Sequence, residues 1–330
     1  MYVLLLALSY LEVTQRCSTC HSSTPESMLF CKKCRRRLFP KTKFDISPAT
    51  YAYPPDVDNL EILKNSGPLP HLVKNLFLQE TVNKLESKTR KNAHRVDDYS
   101  PLANMIRECA DILGLDVLPE VYIQSLGNLN AFTFGTDQKP IVVLDSNVER
   151  LLNFHEILAL LTHEFAHIRS GHMLYHTLAE FLVKGISFSS SMFGFGFITM
   201  PLQMALLSWR RESEVTADRA SLVVVGSLDT LKSLMSKLVF SEKPEYTNKE
   251  IRKELNLTNS ISELFRTHPV YTRRLQLLSD FYKSPDYKRV KRKLSKRMRI
   301  SKAFVKKCRF CGSEKRASDL FCKKCGKSNA

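Results

Sequence analysis

"LLTHEFAHIRSGH", residues 160–172, sets His163, Glu164 and His167 in the order H-E-x-x-H. On an α-helix the two histidines, four apart, leave one face and can share a metal ion, while Glu164 stands one step on, beside the ion. A glutamate so placed can take a proton from a metal-bound water and pass it to a leaving amine. The alternative is an ordinary helix that carries the pattern by chance, and the remainder of the chain has to separate the two. Leu158, Leu160 and Leu161 would anchor the helix in a core. Two neighbouring pairs are incomplete: His155-Glu156 is followed by Ala159 where a second ligand would stand, and His172 and His176 have Met173 after the first histidine. His172 and His176 are expected to pack or to face solvent.

A catalytic zinc takes three protein ligands and keeps one position open. The extended form H-E-x-x-H-x-x-G-x-x-H would need glycine at 170 and histidine at 173; the chain has Ser170 and Met173, which excludes that class. A later helical stretch, "RRESEVTADRAS" at 210–221, offers Glu212 and Glu214. Asp218 follows Glu214 by four residues, on the same helical face, so one carboxylate can ligate and the other can hold a ligand imidazole. Glu212 has no such companion and is expected to face solvent.

Together, H-E-x-x-H and the downstream E-x-x-A-D (Glu214, Ala217, Asp218) resemble the M48 metallopeptidases, gluzincins that include the HtpX proteases and the CAAX prenyl endopeptidases. "NAF" at 130–132 is similar to that family's edge-strand segment. "THPVYTRRLQLL" at 267–278 is similar to its T-H-P-x4-R segment, so the resemblance runs from roughly 50 to 280. It implies an α+β fold with a zincin-like (minigluzincin) core, a small antiparallel sheet and an active-site helix. It implies a metalloendopeptidase (EC 3.4.24 class) acting on protein or peptide substrates. By the resemblance His163, His167 and Glu214 bind zinc, Glu164 is the base, and Asp218 stands behind a ligand. Asn130, Ala131 and Phe132 would lie along an extended substrate by β-addition. His268 or Arg274 would either stabilise the oxyanion or brace the helices.

Eight of the nine cysteines form two copies of C-x2-C-x10-C-x2-C: Cys17, Cys20, Cys31 and Cys34, then Cys308, Cys311, Cys322 and Cys325. Leu29–Cys34 and Leu320–Cys325 even share the words L-F-C-K-K-C. Four thiolates on two hooks suit a closed tetrahedral zinc site, and so short a unit would depend on the metal to fold. A disulfide framework is the other reading, but separated C-x2-C pairs rarely serve it. The expectation is one catalytic and two structural zinc ions, in a reducing, cytoplasmic compartment. Cys109 stands apart on a helix and reads as core.

Of the net charge of +17, residues 1–45 hold +5 and residues 284–330 hold +14, leaving the middle at −2. The basic character belongs to appendages on a near-neutral body. Four units are expected: a zinc ribbon over 1–45, the peptidase-like domain over 46–285, a basic linker helix over 286–305 and a second ribbon over 306–330. In the linker helix Val290, Leu294 and Met298 make a thin apolar stripe in a basic field. Such a stripe suits an acidic membrane, a nucleic acid or an acidic protein, or else belongs to a solvated helix. A scaffold peptidase core whose ribbons and tail bind a nucleic acid or a protein partner is therefore the alternative function.

The opening "MYVLLLALSYLEV" has no basic n-region and no A-x-A site, and reads as a strand or packing segment. Between Lys184 and Arg210 lie 25 uncharged residues, enough for one membrane crossing of ~20. One crossing would put His167 and Glu214 on opposite sides, so the chain is expected to be soluble or to rest peripherally on a membrane. Periodicity predicts helices over 71–96, 101–114, 154–183, 200–225, 228–240 and 270–283, an irregular linker over 46–70, and an antiparallel meander from 120–124, 130–135 and 140–146.

Overall fold

The computed structural model describes residues 14–26, 28–39, 41, 46–65, 78–97, 100–183, 200–241, 269–303, 305–307, 311 and 314–316. The opening apolar segment, most of the 185–209 stretch, His268 and three of the C-terminal cysteines (Cys308, Cys322, Cys325) lie outside these residues.

The chain begins with a hairpin of β1 (Thr14–Arg16) and β2 (Ser23–Pro25) that carries the first cysteine hook. The ribbon is docked on the main body. Phe30 enters the principal core. Arg35 donates from Nε to the Leu118 carbonyl at 2.8 Å and from Nη2 to the Pro119 carbonyl at 2.6 Å. Arg37 donates to the Leu115 carbonyl at 2.8 Å and to the Asp111 carboxylate at 2.9 Å.

The stretch expected as an irregular linker instead holds α1 (Pro48–Tyr51) and α2 (Pro54–Asn65). Pro54 and Pro55 occupy the first turn of α2, where the missing N–H has no partner to lose. Leu60 and Leu63 then pack against Leu178, Leu206 and Trp209. The prolines that suggested a linker thus start a helix. α3 (Leu78–Asn92) is the described part of the helix expected over 71–96; it ends early because His94–Arg95 leave it as strand β3. α4 (Pro101–Ile112) is capped by the Ser100 side chain, which accepts from the Ala103 amide, and is closed by Gly114 at φ +63°.

Three strands follow: β4 (Glu120–Gln124), β5 (Ala131–Thr136) and β6 (Lys139–Asp145). Their order is β3-β4-β6-β5, with β4 parallel to β6 and the other pairs antiparallel. The expected meander would have left β6 on the edge. Ile141, Val142, Val143 and Leu144 are all fully buried, and a strand apolar on both faces belongs in the middle. Val142 and Leu144 face the principal core; Ile141 and Val143 face a smaller cluster with Tyr122, Phe134 and Leu85 of α3. β5 is left as the outer strand.

After α5 (Val148–Leu151), the helix expected over 154–183 is two helices, α6 (Phe154–Arg169) and α7 (Met173–Val183). Gly171, at φ +74°, turns the chain between them; a side chain there would meet no neighbour, so the reason for glycine is the backbone conformation alone. α8 (Met200–Val225), α9 (Leu228–Ser241) and α10 (Pro269–Lys283) complete the helical layer. α6 packs on α8 among buried small residues (Ala159, Ala166, Ala217, Ala220), and Ser221 Oγ donates to the Ala159 carbonyl at 2.8 Å. The close approach brings side chains of the two helices within reach of one ion. Finally α11 (Pro285–Ala303) packs on the body: Val290 and Leu294 are buried in the principal core and are not free for a membrane or a nucleic acid. It is followed by the pair β7 (Val305–Lys307) and β8 (Glu314–Arg316). Among the described residues no helix is long and apolar enough to cross a membrane.

Candidate metal centre

α6 starts from a capping box. The Asn153 side chain accepts from the His155 and Glu156 amides, and the Glu156 carboxylate in turn accepts from the Asn153 amide. Glu156 is also held by Ser233 at 2.6 Å and Lys237 at 2.8 Å, while His155 is exposed. That pair is the frame of the helix and not part of a site.

Two turns on, His163 Nε2 lies 3.2 Å from His167 Nε2. Glu214 on α8 completes a triangle, its Oε2 3.3 Å from His163 Nε2 and its Oε1 3.6 Å from His167 Nε2. Ligands about 2.0–2.1 Å from a tetrahedral ion stand about 3.3 Å apart, so the three atoms fit one face of such a site. Their chemistry, two imidazoles and a carboxylate, suits zinc. Asp218, one turn after Glu214, lies 3.1 Å from His163 Nδ1. An Nδ1–H···carboxylate contact leaves the Nε2 lone pair facing the triangle.

Arg274 on α10 ties the carboxylates together. It donates two bonds of 2.7 Å to Asp218 and lies 3.2 Å from Glu214. All these donors point at carboxylates, which is bracing geometry. Glu212, expected to face solvent, is nearly buried and paired with Arg273 at 3.1 Å. Its companion comes from α10, and nothing in its own helix announces it.

The electrostatics ask for a cation. Burial opposes a charge on His163, but Asp218 and Glu214 overrule it and lift its pKa to about 10. Burial would raise Glu214, yet Arg274 and the histidines hold it well below the usual carboxylate range. Asp218 is lowered in the same way, burial being outweighed by Arg274 and His163. His167 is pushed well below its ordinary value by burial and by His176, so it stays neutral with a lone pair to give.

Glu164 is buried, and Thr133 Oγ1 of β5 donates to its Oε2 at 2.5 Å. Burial pushes its carboxyl up, against the pull of His163 and Thr133. Thr133 escaped the sequence reading because a lone threonine in a strand carries no signal. On the same outer strand Phe132 is exposed and Ala131 half-buried, and Asn130, just before it, is exposed. His172 and His176 neither face solvent nor serve packing alone. His172 Nδ1 lies 3.0 Å from His167 Nδ1, and His176 Nε2 lies 2.7 Å from Ser213 Oγ.

The N-terminal hooks make another candidate site. Cys17, Cys20, Cys31 and Cys34 place four Sγ atoms within 4.8 Å of one another. His21 and Arg35, the residues after each hook, both adopt left-handed φ, +56° and +61°. Each costs about 1–2 kcal/mol, which a bound ion can offset. Burial disfavours the Cys31 thiolate, but the Cys34 and Lys33 amides and the Ser22 and Thr24 hydroxyls hold its pKa down at about 5. Of the C-terminal set only Cys311 is described, and it is exposed.

The sequence model of peptidase family M48 matches residues 99–281. Over 197 residues the chain is 28% identical to the plastoglobule-localized metallopeptidase 48 of Arabidopsis thaliana, covering 59% of this chain and 56% of that one. It is 26% identical over 246 residues to protease HtpX of Acinetobacter baumannii (strain AYE), covering 62% and 79%. It is 25% identical over 197 residues to the protease HtpX homolog of Campylobacter curvus, covering 50% and 68%. The chain thus spans little more than half the length of the Arabidopsis relative. The matched residues contain the whole H-E-x-x-H helix, Glu214, Asp218 and Arg274, and the chain belongs to peptidase family M48.

Proposed function

We propose that this chain is a zinc-dependent endopeptidase that hydrolyses peptide bonds of protein or peptide substrates. The observation that carries the proposal is the triangle of His163, His167 and Glu214, with ligand atoms 3.2–3.6 Å apart and Glu164 beside it. Bound there, zinc would supply a Lewis acid that polarises a carbonyl and makes a water acidic enough to attack it. Glu164 is the base. Its carboxyl, pushed up by burial, has a proton affinity suited to receiving a proton from that water and returning it to the amine that leaves. Thr133 fixes the Glu164 carboxylate by one oxygen and leaves the other for this work. Asp218 and Arg274 orient His163 and Glu214 and keep both carboxylates ionised.

Substrate binding is assigned to β5. As the outer strand it leaves an edge on which an extended peptide can add, and Asn130, Ala131 and Phe132 are assigned to lie along that peptide. The N-terminal cysteines are assigned a structural zinc, and their thiolate chemistry implies a reducing compartment. By the repeated spacing, Cys308, Cys311, Cys322 and Cys325 are assigned another. The ribbon over 1–45, the peptidase domain over 46–285 and the ribbon over 306–330 are assigned as separate units, with the first turns of α11 packed on the body.

The test is cleavage of an unfolded protein by the purified, zinc-loaded chain beside Glu164→Gln, which keeps every ligand and removes only the base. The expected result is cleavage by the unsubstituted chain and none by the variant, with equal zinc in both. Equal cleavage by both would remove Glu164 from the mechanism.

A further inference from the structure

His167 needs its proton on Nδ1 if Nε2 is to hold a metal, and that proton needs an acceptor. His163 has Asp218 for this purpose. His167 has no carboxylate at Nδ1; it has the Nδ1 of His172, 3.0 Å away. The turn at Gly171 makes the contact, because the His172 amide bonds back to the His167 carbonyl at 3.0 Å and folds the ring under that of His167. An Nδ1 that accepts is an imidazole with its proton on Nε2. His172 Nε2 lies 3.2 Å from Asp56 Oδ2, at an angle short of a well-aligned hydrogen bond, and bonds to no other described group. Both His172 and Asp56 are within 1% of complete burial. Asp56 Oδ2 also accepts from Thr216 Oγ1 at 2.5 Å, and Thr216 Oγ1 accepts from the Tyr53 amide at 2.9 Å. The donors then run inward from both ends, from the Tyr53 N–H through Thr216 and from the His167 Nδ1–H through His172, and meet at the Asp56 carboxylate, which only accepts.

We propose that Asp56 and His172 are positioning residues that hold His167 in the tautomer and orientation of a metal ligand. The proposal rests on the metal-centre reading above. Asp56 stands on α2, outside residues 99–281 that match the family, so the outer end of the relay comes from the chain's own N-terminal helices. This gives a buried carboxylate at position 56 a purpose: apart from His172, the Thr216 hydroxyl is the one side-chain donor to it among the described residues.

Cobalt titration of the full chain tests it. Thiolate-bound cobalt has intense near-ultraviolet charge-transfer absorption, which a site of imidazoles and a carboxylate lacks, so uptake at the two kinds of site is read separately. His172→Phe keeps the ring volume against Trp209, whose ring stands edge-on at 5.5 Å, and removes both nitrogens. His172→Asn is smaller but keeps an acceptor near the Nδ1 position. The expected loss of cobalt affinity is about 10–100-fold for His172→Phe, with most of it recovered in His172→Asn. The metal-free melting temperature should rank the other way, Phe above Asn, because Phe fills the space better. Asp56→Leu should cost about tenfold in the unsubstituted chain and nothing further beside His172→Asn, where the link is already cut. Cobalt affinity that follows the melting order, or that His172→Phe leaves unchanged, overturns the relay. So do additive effects of Asp56→Leu and His172→Asn. Two cobalt ions in the histidine cluster of the unsubstituted chain would replace it by a second metal site. No uptake there by the unsubstituted chain defeats the metal-centre reading itself.

Discussion

Removing the guanidinium of Arg274 should cost stability by an amount that depends on pH. In Arg274→Met a chain of similar length stays, but Asp218 loses two bonds of 2.7 Å and Glu214 loses a charge 3.2 Å away. Breaking a buried ion pair from one side costs about 3–5 kcal/mol. For a domain of this size each kcal/mol is roughly 2–4 °C, so the metal-free chain should melt about 6–20 °C lower at pH 7. In the unsubstituted chain both carboxyls have depressed pKa values. Their contribution is therefore present above the ordinary carboxylate range and lost as pH falls through the folded values. Without Arg274, burial is opposed by the histidines alone, so both carboxyls rise from their folded values. The loss of stability caused by Arg274→Met should therefore shrink as pH falls from 7 toward 5, because the carboxyls left in the variant take up protons there and those of the unsubstituted chain do not. Zinc should rescue the variant more than the unsubstituted chain, since the ion takes over the neutralising role. Differential scanning calorimetry across pH 5–7, with and without zinc, reads all three quantities. A pH-independent loss, or equal gains from zinc, would refute the argument and leave Arg274 as packing.

Two further outcomes follow from the same groups. Because Asp218 and Glu214 hold the His163 proton up to a pKa of about 10, metal must displace that proton at neutral pH. Apparent cobalt affinity at the histidine site should rise about tenfold per pH unit between pH 6 and 8, a slope that titration at fixed ionic strength measures. Cys31→Ser should abolish metal uptake at the N-terminal hooks and, because Phe30, Arg35 and Arg37 tie the ribbon to the body, lower the melting of the whole domain in one transition. A separate early transition with the main melt unmoved would show the ribbon to be energetically independent.

What the sequence determined about this protein is what lies within a few residues along a helix. His163 and His167, like Glu214 and Asp218, are four apart, and the helical period alone fixes their shared faces. The cysteine hooks are equally local. Even the false pair His155-Glu156 is explained locally, by the capping box at Asn153. Tertiary structure decided the rest. The order of the strands followed from burying both faces of β6, which the spacing of the segments does not encode. The prolines at 54 and 55 start a helix only because Leu60 and Leu63 have a partner surface. Asp218 and Glu212 find their partners, Arg274 and Arg273, on a helix some 60 residues later. Thr133 reaches Glu164 across 31 residues, and Asp56 reaches Thr216 across 160. Such contacts carry no sequence period, because they depend on how close two helices can approach. Here the small residues between α6 and α8 set that distance, and with it the size of the site.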